Sequence, residues 1–290
     1  MVDFGRFLLV HYFALILIDL LILKLEMNKQ QPFSRVISTL FVVTVSNILC
    51  VADGLGYVDT SEWVSLDGGH HHSIAAFYNV YCGGKYFDGI VKDQVSKMEA
   101  SGLMDRLDIV YYATMGEYGA DYSIPNNKFK HIKHHGKEGS EAQTHHLMYQ
   151  FCHDNPTSKV LYFHNKGSYH PTADNSIFRS YLDCYNLNPN CIEALDTHDI
   201  CGWRLTPVPH PFYSGNFWWA TCKHINGLVS PMSNTQNETF IALSNKVNPC
   251  VLSFGRWFSE AWVTSKPEYK PADCMILGDC PTRNTLYSER

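Results

Sequence analysis

The 290-residue chain has no basic surplus, no Cys-x-x-Cys pair, no Asp-x-Asp and none of the common phosphate or nucleophile signatures. Lys and Arg number 23 against 28 Asp and Glu, a net charge of -5, so a phosphate backbone would meet no neutralising surface and nucleic acid is not an expected partner. The lack of Cys-x-x-Cys argues against a zinc ribbon. Gly-x-Gly-x-x-Gly, Gly-x-Ser-x-Gly and the P-loop pattern are missing too, which argues against a Rossmann dehydrogenase, an α/β-hydrolase and a P-loop NTPase. Charged residues make up only 18% of the chain, and no repeat or low-complexity tract occurs. What is present is 45% hydrophobic and 13% aromatic residues, ample for a buried core in one or two domains.

The apolar residues crowd towards the amino terminus. Phe7 to Leu25 is broken only by His11, Asp19 and Lys24, and about thirty ångströms of helix would nearly cover a bilayer core. A second run spans Val36 to Ala52. Read from Met27, it has the basic, apolar and small-residue layout of a secretory signal cleaved near Ala52. Read from Met1, the same region is an uncleaved signal-anchor. The plainer alternative is a buried helix of the globular fold. In both targeting readings Lys24, Lys29 and Arg35 precede the second run, so residues beyond 53 face the lumen. The expectation is a membrane anchor or signal over 1–52, a stem over 53–72 and a lumenal domain over 73–290, resident in the ER or Golgi membrane or secreted after cleavage. Asn237-Glu238-Thr239 is an N-glycosylation acceptor, in keeping with that compartment. Of ten cysteines, Cys50 lies in the leader and nine lie beyond it. Cys184/Cys191 and Cys274/Cys280 are near enough to close short loops, although spacing alone leaves the pairing open.

Beyond residue 72 the pattern alternates. Ile74 to Cys82 reads as a buried strand, Tyr86 to Leu103 as a helix ending at Gly102, and Leu107 to Met115 as a strand. Ser140 to His153 opens on a Ser-x-x-Gln capping box, and Lys159 to His164 is a short apolar strand. This order predicts βαβ units in a mostly parallel sheet, with ligands taken up beyond the carboxyl ends of the strands.

Three clusters carry candidate chemistry. Strand KVLYFH runs directly into Asn165-Lys166-Gly167-Ser168, where Lys166 suits a phosphate, His164 a donor or base, Asn165 a hydroxyl, and Gly167 close backbone approach. In Ser214-Gly215-Asn216-Phe217-Trp218-Trp219 the aromatics must alternate, one face entering the core and the other lining a pocket; the plain alternative is core packing, which is expected for at least two of the three. Arg256 and Glu260 sit four apart beside two tryptophans, either a surface ion pair or an acid made basic by burial. His134-His135 among Lys130, Lys133 and Lys137 forms a small basic patch. The local histidine clusters, His70 to His72 included, lack a metal-ligand spacing joined to a carboxylate.

YFHNKGS at 162–168, YSGNFWWA at 213–220 and SEAWV at 259–263 together resemble a group of glycosyltransferase-like proteins with a His-x-Lys-Gly element, then Ser-Gly-Asn-Phe-Trp-Trp, then Glu-x-Trp. Asn79 to Cys82 and the Gly116-Glu117 turn fit the same group. The resemblance implies a GT-A-like nucleotide-diphospho-sugar transferase fold, a three-layer α/β/α sandwich with a mostly parallel central sheet, here preceded by an N-terminal hydrophobic helix. It implies a nucleotide-sugar donor and a glycan or lipid acceptor. The Asp-x-Asp that commonly holds a divalent metal is replaced here by His164-Asn165-Lys166, so no metal ligand is assigned and a divalent metal stays an open alternative without that motif behind it, while Lys166 with His164 would meet the leaving diphosphate. Glu260 would be the acceptor base. Asn165, Gly167, Ser168, Glu117, Ser214, Gly215, Asn216, Trp218 and Trp219 would shape the substrate site. The competing expectation is a carbohydrate-binding protein that keeps the fold without turnover.

Overall fold

A computed structural model describes residues 71–137, 139–207, 211–232, 259–266 and 268–277. The expected leader over 1–52, most of the stem, the Asn237 acceptor and Arg256 lie outside the described residues. Among the described residues no helix is long and apolar enough to cross a membrane.

Strand β1 (Ile74–Tyr81) has six consecutive buried residues, the signature of a strand covered on both faces. Helix α1 (Phe87–Ala100) buries Ile90, Val91, Gln94 and Met98 on one stripe, and Gly102 follows it at φ 77, a left-handed position suited to glycine. A short α2 (Leu103–Arg106) leads to β2 (Ile109–Met115). Next comes β3 (Phe129–His134), a strand where the sequence suggested only a basic patch. Helix α3 (Glu141–Asp154) starts at the expected capping box, and β4 (Lys159–His164) has the expected bounds. The second half is built of shorter pieces: α4 (Ala173–Asn186), α5 (Asn190–Ala194), β5 (Ile200–Gly202), β6 (Leu205–Thr206), β7 (Phe212–Tyr213), β8 (Trp218–Thr221), α6 (Cys222–Ile225), a 3-10 turn at Trp262–Thr264, β9 (Pro271–Asp273) and α7 (Cys274–Leu277).

Seven strands form one sheet in the order β3-β2-β1-β4-β8-β5-β9, and β6 pairs with β7 separately. The β1–β2, β1–β4, β2–β3 and β5–β9 pairs are parallel, while β8 runs antiparallel to both β4 and β5. The fold is thus a mixed α/β architecture with a mostly parallel sheet. Each face has its own core. Tyr78, Val80, Phe163 and Trp219 pack with Met98 of α1 and Leu182 of α4 on one side. Phe77, Tyr162 and Trp218 pack with Met148 and Phe151 of α3 and with Trp262 on the other.

That arrangement corrects one expectation. Phe217, Trp218 and Trp219 are all fully buried, so no face of this run lines a pocket. The reason is position: β8 lies inside the sheet between β4 and β5, and both of its faces are covered. Disulfides join Cys152 to Cys222 and Cys191 to Cys201, and Cys184 is also disulfide-bonded. Cys191 is therefore not the partner of Cys184, and Cys274 is a free buried thiol, as is Cys82.

Candidate functional site

The chain steps outward from β1 to β2 to β3, then returns to lay β4 on the other side of β1. Crossovers therefore leave β1 and β4 in opposite directions, and the gap beyond their carboxyl ends is where open α/β sheets take up ligands. A cavity of about 610 Å³ opens there. Asn79 and Tyr81 line it from β1, Lys137 and Ser140 from the approach to α3, and Glu141 from the first residue of α3. His164 to His170 line it from the exit of β4, joined by Asn175 and Ser259.

The β4 exit is held rigidly by its backbone. Gln94 Nε2 donates to the His164 carbonyl at 3.2 Å and also to Asp183 Oδ1 at 2.8 Å, while Lys97 Nζ donates to Asp183 Oδ2 at 2.9 Å. Arg179 donates to the Lys166 carbonyl at 2.7 Å. Gly167 lies at φ 86, where a side chain would be strained and its Cβ would crowd Asn175 and Arg179. Lys166 faces the cavity with Nζ 5.7 Å from the centre of the Phe178 ring. Asn165 has a different task from the one expected. Its amide accepts from Tyr81 N at 2.8 Å and donates to Tyr81 O at 3.0 Å, prolonging the β1–β4 pairing past the strand end. That leaves it committed to the backbone rather than to a substrate hydroxyl.

Glu141 is the centre of the polar cluster. Its Oε2 lies 3.2 Å from His164 Nδ1, accepts from Tyr162 Oη at 3.2 Å, and accepts a short hydrogen bond from Asn216 Nδ2. Desolvation pushes this carboxyl upward, but the charge and contact of His164, with His145 and Asn216 behind it, outweigh burial and hold it well below the usual carboxylate range. Asn216 is in turn fixed by Trp218 Nε1, which donates to its Oδ1 at 2.8 Å, and it has a positive φ of 58. The preceding Gly215 allows the turn, since a Cβ there would come within 2.7 Å of Leu182.

One turn along α3 from Glu141, His145 is wholly buried among Tyr162, Trp218 and Trp262, with neither ring nitrogen hydrogen-bonded. Desolvation pushes its pKa down to about 3, against the pull of Glu141 and with a further push from His164. Below pH 6.5, the ordinary histidine value, the unfolded chain takes up a proton here that the folded chain refuses down to about pH 3. The unfolded state then binds more protons, so stability falls with falling pH, by about 1.4 kcal/mol per unit from this group at most. His145→Phe should therefore lose less stability than wild type between pH 6.5 and 4.5 in urea titrations; parallel curves would contradict the assignment.

The structure gathers only some of the residues that the sequence nominated. His164, Lys166, Gly167 and Ser168 share the cavity, and Asn165 borders it. Asn216 reaches it through Glu141. Glu117 is exposed on the turn after β2 and does not line it. Ser214 is occupied with Thr206 at 2.7 Å, and Trp218 and Trp219 are in the two cores. From the SEAW element, Ser259 rather than Glu260 lines the cavity. The residue missed by sequence reasoning is Glu141. The capping box located its helix, but nothing in the spacing tied it to His164 in a different element. A divalent metal does not fit the residues here: the single carboxylate lining the cavity among the described residues is already engaged, and two lysines face the same space. Among the described residues no group of three or more His, Cys, Asp or Glu is placed to bind a metal ion.

A mostly parallel α/β sheet with a polar cavity at its switch point defines the class of this domain. The chain belongs to the family described as a domain of unknown function, DUF8361, whose profile matches residues 77–283. No curated protein and no solved structure matches it.

Proposed function

We propose that this chain is a glycosyltransferase that moves a sugar from a nucleotide-sugar donor to a glycan or lipid acceptor, on a GT-A-like three-layer α/β/α sandwich. The observation that carries this reading is the cavity itself, about 610 Å³ at the β1–β4 switch point with His164, Lys166 and Lys137 on its wall. Two lysines and an imidazole suit the diphosphate of an activated sugar, and fixed positive charge there stabilises the leaving group in the transition state. Glu260, nominated from the sequence as the acceptor base, does not line the cavity, so in this scheme the acceptor proton leaves to solvent. Disulfides suit an oxidising compartment, so the domain works in the lumen of the secretory pathway, anchored by the segment before residue 53 or released after Ala52.

One observation favours a second reading. The only carboxylate lining the cavity among the described residues is tied to three partners, which suits a carbohydrate-binding protein without turnover. A panel of nucleotide sugars, with and without Mn²⁺ or chelator, separates the two. The enzyme reading expects nucleoside diphosphate release by the full-length chain that chelator does not abolish. Lys166→Ala should lower that release about 10²-fold, the scale of losing one transition-state charge partner. Glycan binding with no nucleotide release would support the binder and overturn the transferase.

A further inference from the structure

We infer that Glu141 is the positioning residue that holds His164 as a proton donor to the leaving diphosphate, a role that rests on the glycosyl-transfer reading above. Both side chains line the cavity, with Glu141 Oε2 3.2 Å from His164 Nδ1. The carboxylate cannot wander. Tyr162 from β4 and Asn216 from the turn before β8 both donate to the same oxygen, and Trp218 Nε1 holds Asn216 in place. The imidazole is equally confined. It is 7% exposed, its ring packs edge-on against Phe217 with centroids 5.1 Å apart, and its carbonyl is tied to Gln94. Nδ1 sits beside Glu141 Oε2 without a formed hydrogen bond, and Nε2 is the nitrogen left for a ligand.

A carboxylate beside one imidazole nitrogen fixes the tautomer and steadies the imidazolium, leaving the far nitrogen to exchange protons with substrate. In the transfer step the acceptor oxygen bonds to the anomeric carbon while the carbon–oxygen bond to the diphosphate breaks. The electron pair of that bond goes to the phosphate oxygen, and the proton on His164 Nε2 follows it. The acceptor's own proton leaves to solvent, and His164 is reprotonated from solvent afterwards. Lys166 supplies fixed charge beside this transfer, so the two side chains divide the work on the leaving group.

The test reads the pair with and without turnover. In the full-length chain labelled with ¹⁵N-histidine, His164→Ala identifies the His164 signals, which should carry the Nδ1–H signature. Glu141→Ala should erase that signature, and Glu141→Gln, which keeps an acceptor oxygen, should retain it. With a donor that wild type turns over, Glu141→Ala should lower kcat about 10²-fold with KM within about twofold. The Glu141→Ala/His164→Ala double variant should be no slower than His164→Ala alone. An unchanged Nδ1–H signature in Glu141→Ala, or additive losses in the double variant, overturns the positioning role. Should Glu141→Ala not fold, Glu141→Gln is read instead: wild-type kcat in it without the Nδ1–H signature overturns the role. If wild type binds neither UDP nor GDP at millimolar concentration, the leaving-group role falls together with the transferase reading. The NMR comparison still decides whether Glu141 holds His164.

Discussion

Truncation of Trp218 to alanine should destabilise the domain by about 3–5 kcal/mol, the range for deleting a fully buried large aromatic. Trp218 has no exposed surface and packs against Tyr162 at 5.4 Å, His145 at 5.5 Å and Trp262 at 6.1 Å between ring centroids. Tyr162 is also its cross-strand partner in the β4–β8 pair, so the loss would loosen the strand whose exit carries His164. Trp218→Phe separates the two jobs of this side chain. It keeps an aromatic plate in the core but removes the N–H that donates to Asn216, leaving that buried oxygen without its partner at about 1–3 kcal/mol. Urea midpoints should rank wild type above Trp218→Phe and Trp218→Phe above Trp218→Ala. A Trp218→Ala midpoint within about 1 kcal/mol of wild type would mean that Trp218 is not packed as described.

The parts of this fold legible in the sequence are those where one local signal dominates. β1 and β2 are long apolar runs, β4 is a short one, and α3 carries both halves of its capping box, with Ser140 N donating to Gln143 Oε1 at 2.8 Å. β3 was not legible because Lys130, His131, Lys133 and His134 give it the composition of a surface loop. It is an edge strand, and charged residues at an edge are the usual guard against pairing with another chain. Strands β5 to β9 hold only two to four residues each, too short for any period to register. The site divides in the same way. The β4 exit could be read as a site because a strand ends abruptly in Asn165-Lys166-Gly167-Ser168. Glu141 could not, because its importance comes from the β1–β4 switch that brings the start of α3 beside His164. The aromatics misled for a related reason: alternation along a strand says which residues face opposite ways, not whether both faces are covered.

Removal of the Cys152–Cys222 disulfide should cost more than removal of Cys191–Cys201, and the reason lies in the unfolded chain. The first bond spans 70 residues of sequence and the second 10. On the chain-entropy estimate these closures are worth about 4 and about 3 kcal/mol, because the longer loop removes more freedom from the unfolded ensemble. The longer bond also joins the end of α3, the helix whose first two turns hold Glu141 and His145, to the start of α6. All four cysteines are buried, so alanine is the cleaner replacement; serine would bury a hydroxyl. Non-reducing urea titrations of Cys152→Ala/Cys222→Ala and Cys191→Ala/Cys201→Ala should show the larger drop for the first pair. Reductant should lower the wild-type midpoint by at least as much as the worse of the two. A first pair costing less than about 1 kcal/mol would mean that this bond contributes little to folding. The proposed lumenal compartment would then draw on the amino-terminal segment and the Asn237 acceptor rather than on the stability given by disulfides.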